Sequence, residues 1–194
     1  PWAIFQNNHP HDLMWPVEML YAKGIAQAAG WNPTVVDLHV EEFERDELVR
    51  HIVSLSPDML LIDTMTPTMA YAREIAGAVL GRIPDLKIWG IGQHATEQSE
   101  DLLYPGSPIS GVLLGEYPGS VADLLACRGE RAVDRSAVLS KTGDILRTGK
   151  KREINDCDSL PPIDPTGLHM DRYRMRSIHV PKFGNVRWGY LLTS

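Results

Sequence analysis

The stretch LKIWGIGQHATEQSEDLL, residues 86–103, decides the fold. Its first half is an apolar run ending in Gly90 and Gly92, and its second half places Glu97, Glu100 and Asp101 ahead of Leu102 and Leu103. A continuous apolar run, a small-residue turn and then an amphipathic pattern with early acids describe a strand feeding a helix, because carboxylates are favoured at a helix's positive N-terminus. The spacing predicts a strand over 86–92, a loop over 93–95 and a helix over 96–103. His94 falls in that loop, where a polar ring and backbone N–H groups meet at one sheet edge.

The same alternation extends in both directions. WAIF (2–5) precedes a helical pattern over 16–29, TVVDL (34–38) one over 42–54, DMLLID (58–63) one over 68–82 and ISGVLLG (109–115) one over 118–127. Five βα units in a row predict an α/β fold: a doubly wound, Rossmann-like (flavodoxin-like) five-stranded parallel sheet. Leu48, Ile52 and Leu55 form one apolar stripe, and Ile75, Val79 and Ile83 another. Gly30, Pro57 and Pro84 stand where helices end, and Pro16 where one begins. MLLI and GVLL are continuous rather than alternating, as in strands covered on both faces. Right-handed crossovers bring the βα loops 6–15, 64–67, 93–95 and 116–117 to one edge, where open α/β sheets bind ligands.

After Arg128 the pattern changes. Thr142-Gly143-Asp144 separates two strand-like runs, which predicts a β-hairpin. DSLPPIDPTG then reads as an extended linker or a surface-hugging arm. The expected organisation is a Rossmann-like domain over 1–127, a hairpin extension over 128–160 and a linker over 161–194.

Nineteen basic and 25 acidic residues give a net charge of −6, which argues against nucleic acid as a partner. No apolar run approaches the roughly 20 residues of a membrane span. Two cysteines without a CxxC pair fit a reducing cytoplasm rather than a disulfide scaffold or cysteine-rich metal site. The chain begins at Pro1 and stops in a strand-like GYLLTS, so a piece of a longer protein is expected.

Nucleotide chemistry finds little support. The loop after the first run, QNNHPHDLMWP, has no glycine, so GxGxxG is missing, and no P-loop occurs. A phosphoacceptor domain would want an acidic residue ending the third strand, where Asp63 stands, but its acidic pair after the first strand is represented only by Asp12 and no lysine ends the fifth strand. His9, His11 and Asp12 suggest a metal, yet no third ligand is placed by spacing, so neither a metal site nor a catalytic residue is assigned. Thr64 and Thr66 either close a turn or bond a ligand. His94 either faces a ligand or packs in its loop, and Glu116 and Tyr117 either cap the next helix or line a site.

IWGIGQHATEQSEDLL, GVLLGEYPGSVADLL and INDCDSLPPIDP together resemble the N-terminal cobalamin-binding domain of radical S-adenosylmethionine enzymes. The resemblance rests on Ile91–Thr96, matching Gly-Gly-x-His-Ala-Thr with isoleucine for the first glycine, on Gly115–Tyr117, and on Cys157–Pro161. It implies that Gly92, Gln93 and His94, with Gly115, Glu116 and Tyr117 opposite, line a slot for the cofactor's nucleotide tail. It also implies that Thr64, Met65 and Thr66, with Asp12, Leu13 and Met14, face the corrin. The cobalt-ligating Asp-x-His-x-x-Gly pattern is missing, so no histidine is expected below the metal. The resemblance further implies a radical domain later in the same polypeptide, with a 4Fe-4S cluster and S-adenosylmethionine, and methyl transfer to a small-molecule substrate. The chain alone, lacking the cluster cysteines, is expected to be inactive. The alternatives are a flavodoxin-like small-ligand or regulatory domain without cobalamin, or the same fold with Trp15, Ile91 and Tyr117 plugging the site.

Overall fold

The computed structural model describes residues 15–149, 158, 160–173, 175–176 and 185–186. The chain divides into two units: Glu44–Leu160, and a second made of the residues up to Phe43 together with those from Pro161 onward. Helix α1 (Val17–Ala28) belongs to the second. The first unit holds α2 (Arg45–Ser54), β1 (Met59–Asp63), α3 (Met69–Leu80), β2 (Lys87–Ile91), α4 (Gln93–Glu97), a 3-10 turn (Ser99–Asp101), β3 (Gly111–Leu113), α5 (Pro118–Ala126), β4 (Ser136–Leu139) and β5 (Ile145–Arg147).

These five strands form one sheet in the order β1-β2-β3-β4-β5. β1, β2 and β3 run parallel, with Ile62 opposite Gly90 and Gly90 opposite Val112. β4 and β5 are the predicted hairpin, and they join the sheet antiparallel, Ser136 opposite Leu113 and Arg147 opposite Ala137. Gly143 (φ 91°) makes the turn, and Ser140 Oγ accepts the Asp144 N–H at 2.9 Å.

β2 is the core strand, with Ile88, Trp89 and Ile91 fully buried, so its sequence shows no polar alternation. Burying each isoleucine is worth about 1.5–3 kcal/mol. The Trp89 ring lies against Gly111, where a Cβ would stand 2.7 Å from it. Its Nε1 donates to Gly129 O at 3.2 Å, so the buried indole keeps a partner. α3 buries Ala72, Ile75, Ala76 and Val79, one helical stripe, and ends before Ile83. α2 buries Leu48, Val49 and Ile52 behind a Glu44–Glu47 capping box. Leu55, expected in the same stripe, falls past the helix end and is 44% exposed.

The α/β class holds, with two corrections. Residues 34–38 form no strand. Asp37 turns the chain instead, its Oδ1 accepting the His39 N–H at 2.9 Å and its carbonyl accepting from Val40 and Glu41. The parallel part among the described residues is therefore three strands, and the predicted strand 2–5 lies outside those residues. Second, the helix expected over 96–103 begins at Gln93 and breaks at Gln98 into the 3-10 turn. Gln93 and His94 are thus helical residues.

In the second unit, Gly30 (φ 81°) closes α1, donating to Gln27 O while Trp31 N–H reaches Ala26 O. Residues 161–173 lie along this helix. Pro161 and Pro162 approach Gly24, and the buried Lys23 donates to Asp164 O at 3.0 Å and Thr166 O at 2.5 Å while pairing with the Asp164 carboxylate. Tyr173 OH donates to Asp37 Oδ2 at 2.7 Å and Arg172 to Val40 O, so both residues fold back on their own unit. β6 (Met175–Arg176) and β7 (Asn185–Val186) pair antiparallel. No helix among the described residues is long and apolar enough to cross a membrane.

Candidate functional site

The C-terminal ends of β1, β2 and β3 bring together nine of the residues singled out in the sequence: Thr64, Met65, Thr66, Gly92, Gln93, His94, Gly115, Glu116 and Tyr117. Thr64 is the splice between the first two strand ends. Its N–H and its hydroxyl both donate to Ile91 O at 2.8 Å, its carbonyl accepts from His94 N–H, and its Oγ1 accepts from Ala95 N–H at 3.1 Å. α4 follows Gly92 and has no capping side chain of its own, so a threonine on the neighbouring strand caps it. Gly92 adopts φ 94°, and a Cβ there would collide with Asp63 Oδ1 and stand 2.9 Å from Thr64 O. Only glycine lets the chain turn this close to β1.

Above this splice the rim is mixed. Met65 is 49% exposed, Thr66 and Gln93 are exposed, and His94 is buried. Thr66 Oγ1 lies 3.1 Å from His94 Nδ1. On the other side of the ring, Asp101 Oδ2 is 3.2 Å from Nε2, although the contact is not aligned as a hydrogen bond. It is a close approach of a buried ring nitrogen to a half-exposed carboxylate. Asp101 O in turn accepts from Arg73 at 3.3 Å, and the Arg73 guanidinium lies over Tyr104.

The third strand end is tied in by Thr96, whose hydroxyl donates to Gly92 O and accepts the Gly115 N–H, both at 2.9 Å. Glu116 is exposed and its carbonyl accepts from the buried Arg135 guanidinium at 3.0 Å. Tyr117 is 1% exposed at the start of α5. The buried hydroxyls of Ser99 and Ser120, which follow α4 and open α5, have no hydrogen-bond partner among the described residues.

Asp12, Leu13 and Met14, with His9 and His11, lie outside the described residues. Thr96, Asp101 and Arg135 shape the edge and were not singled out in the sequence. Thr96 closes the Ile91–Thr96 match and stands four residues after Gly92, which were the signals available for it, whereas Asp101 read as a helix-start acid and Arg135 sits in an unpatterned loop. Among the described residues no three histidine, cysteine, aspartate or glutamate side chains cluster as a metal site.

Comparison with known proteins places this edge in context. The solved structure of the cobalamin-dependent S-adenosylmethionine radical enzyme OxsB, with aqua-cobalamin and S-adenosylmethionine bound, superposes with a TM-score of 0.65 at 12% identity over 76% of this chain. Its apo, selenomethionine-labelled form gives 0.54 at 11% over 74%. These likenesses are of fold, and this chain spans 21% of OxsB in each. No curated protein matches. The B12 binding domain family matches residues 9–124, covering the parallel strands, their loops and most of α5. The chain belongs to the B12-binding domain family.

Proposed function

We propose that the loop edge of β1, β2 and β3 binds cobalamin, and that the chain is the cobalamin-binding module of a cobalamin-dependent radical S-adenosylmethionine methyltransferase. The observation that carries the reading is the rim itself: an exposed Met65 between threonines, beside a glycine turn and flanked by the exposed Gln93 and Glu116. A corrin presents flat apolar faces ringed by carboxamides, and a thioether among hydroxyl, amide and carboxylate groups suits that chemistry. Ser99 and Ser120 hold buried hydroxyls unpartnered among the described residues, which suits a polar tail entering behind the rim. Met65, Thr66, Gln93 and Glu116 would hold the ring. Gly92, His94, Gly115 and Tyr117 would border the tail, and Thr64 would keep the two strand ends in register.

When bound, cobalamin supplies a methyl group carried on cobalt. The chain's part is to orient the corrin and shield it from water. The 4Fe-4S cluster, S-adenosylmethionine and the small-molecule substrate belong to a radical domain elsewhere in a longer, cytoplasmic polypeptide.

The 194-residue chain, mixed with hydroxocobalamin and desalted, is expected to keep the corrin's visible absorption at about one equivalent per chain. A colourless, folded protein overturns the reading. Burial of Ile91 and Tyr117, 0% and 1% exposed, favours a second reading in which side chains fill the tail's place. Tyr117→Ala separates the two, because a plugged site takes up cobalamin only in that variant.

A further inference from the structure

We infer that His94 and Asp101 fix the Thr66 hydroxyl as a hydrogen-bond acceptor toward the ligand, so that this point of the rim selects a carboxamide N–H over a carboxylate. The inference rests on the cobalamin reading above, whose ligand displays carboxamides around its ring.

A neutral imidazole has one donor nitrogen and one acceptor nitrogen, and the surroundings decide which is which. His94 is 3% exposed, with Asp101 Oδ2 3.2 Å from Nε2 and Thr66 Oγ1 3.1 Å from Nδ1. With the proton on Nδ1, the lone pair of the buried Nε2 would face an oxygen of the half-exposed Asp101 carboxylate across 3.2 Å. That is repulsion, reduced by the solvent on the open side of Asp101 but not removed at such short range. With the proton on Nε2 the same contact is attractive, and it remains so although the N–H is not aligned on the oxygen. Charge therefore sets the tautomer. Nδ1 is left as an acceptor, and the hydroxyl beside it must supply the proton of the 3.1 Å contact.

A hydroxyl has one proton. Once Thr66 spends it on His94, only oxygen lone pairs remain for anything approaching from solvent, and Thr66 is exposed. Lone pairs accept from a carboxamide N–H and repel a carboxylate of the same shape. His94 and Asp101 are positioning residues, since they act through Thr66. Arg73, bound to the Asp101 carbonyl, and Arg147, paired with Glu100, are the cations on the elements around Asp101. Their contacts run to the Asp101 carbonyl and the Glu100 carboxylate, not to the ring.

The test has two readouts. In the full 194-residue chain with ¹⁵N-labelled histidine, long-range proton–nitrogen correlation at pH 8 reads the tautomer without any ligand. The expected signature is protonated Nε2 for His94, and a protonated Nδ1 overturns the inference. The second readout compares retention of hydroxocobalamin with that of its b-, d- and e-monocarboxylic acids, in which one carboxamide has become a carboxylate. Wild type is expected to bind at least one acid about 10-fold more weakly, the scale of one lost hydrogen bond turned repulsive. Asp101→Asn frees the ring to hold its proton on either nitrogen and is expected to shrink that gap to about 3-fold or less. Undiminished discrimination in Asp101→Asn overturns the inference while leaving the cobalamin reading intact. If wild type retains none of the four corrinoids, the cobalamin reading falls and takes the ligand selection with it, and the tautomer is still decided by the spectrum.

Discussion

Thr64 uses every hydrogen-bonding atom it has, and all of its partners lie 27 to 31 residues away in sequence on the next strand and helix. Thr64→Val leaves the Ala95 N–H without its acceptor, buried against an apolar methyl. The expected loss is about 1–3 kcal/mol in urea denaturation, with Thr64→Ser restoring most of it. Gly92→Ala forces a Cβ into the Asp63 carboxylate at φ 94° and is expected to cost about 1–3 kcal/mol by the same measurement. At this scale the sequence was legible in half. A glycine closing a strand signals a backbone with special freedom, so Gly92 stood out. What Thr64 does could not be read from its neighbours, because a cap supplied across a sheet leaves no local spacing to find.

Elements were legible where one local rule governed them. The hairpin followed from its Thr-Gly-Asp turn, and β1 and β2 from continuous apolar runs between helical patterns. TVVDL failed as a strand because a single aspartate overrode three β-formers: Asp37 accepts a backbone N–H two residues on and the buried hydroxyl of Tyr173. The clamp between α1 and residues 161–173 gives a pH prediction. Hydrogen bonds from Thr166, then Gln27 and Lys23, hold the Asp164 carboxyl well below the usual carboxylate range. A depressed acid contributes stability that is complete above its unfolded value near pH 4 and is lost as pH falls through the folded one. Amides of α1 are therefore expected to lose hydrogen-exchange protection below about pH 4, and Asp164→Asn to flatten that dependence. The Tyr173 phenol behaves in the opposite sense. Burial first, and the bond to Asp37 second, raise its pKa, so its contribution stands below about pH 10 and is lost only in stronger base.

For the whole molecule, the second unit is built from both ends of the described chain, which no stretch of sequence announces. Ending the polypeptide at Leu160 removes the partners of Lys23, Gln27 and Asp37 together. The truncated protein is expected to lose protection in α1 while β1, β2 and β3 keep theirs, as hydrogen exchange followed by mass spectrometry would report. The hairpin carries a different consequence. Because β4 starts opposite the end of β3 and β5 runs back beside it, Arg147, Thr148 and Gly149 return to the rim that bears Gly115 and Glu116. Gly149 fits there only by having no side chain, a Cβ being blocked by the Asp134 carboxylate. The hairpin therefore ends on the edge of the sheet that carries the β1, β2 and β3 loops instead of at the opposite edge, so Gly149 and the rim share one boundary.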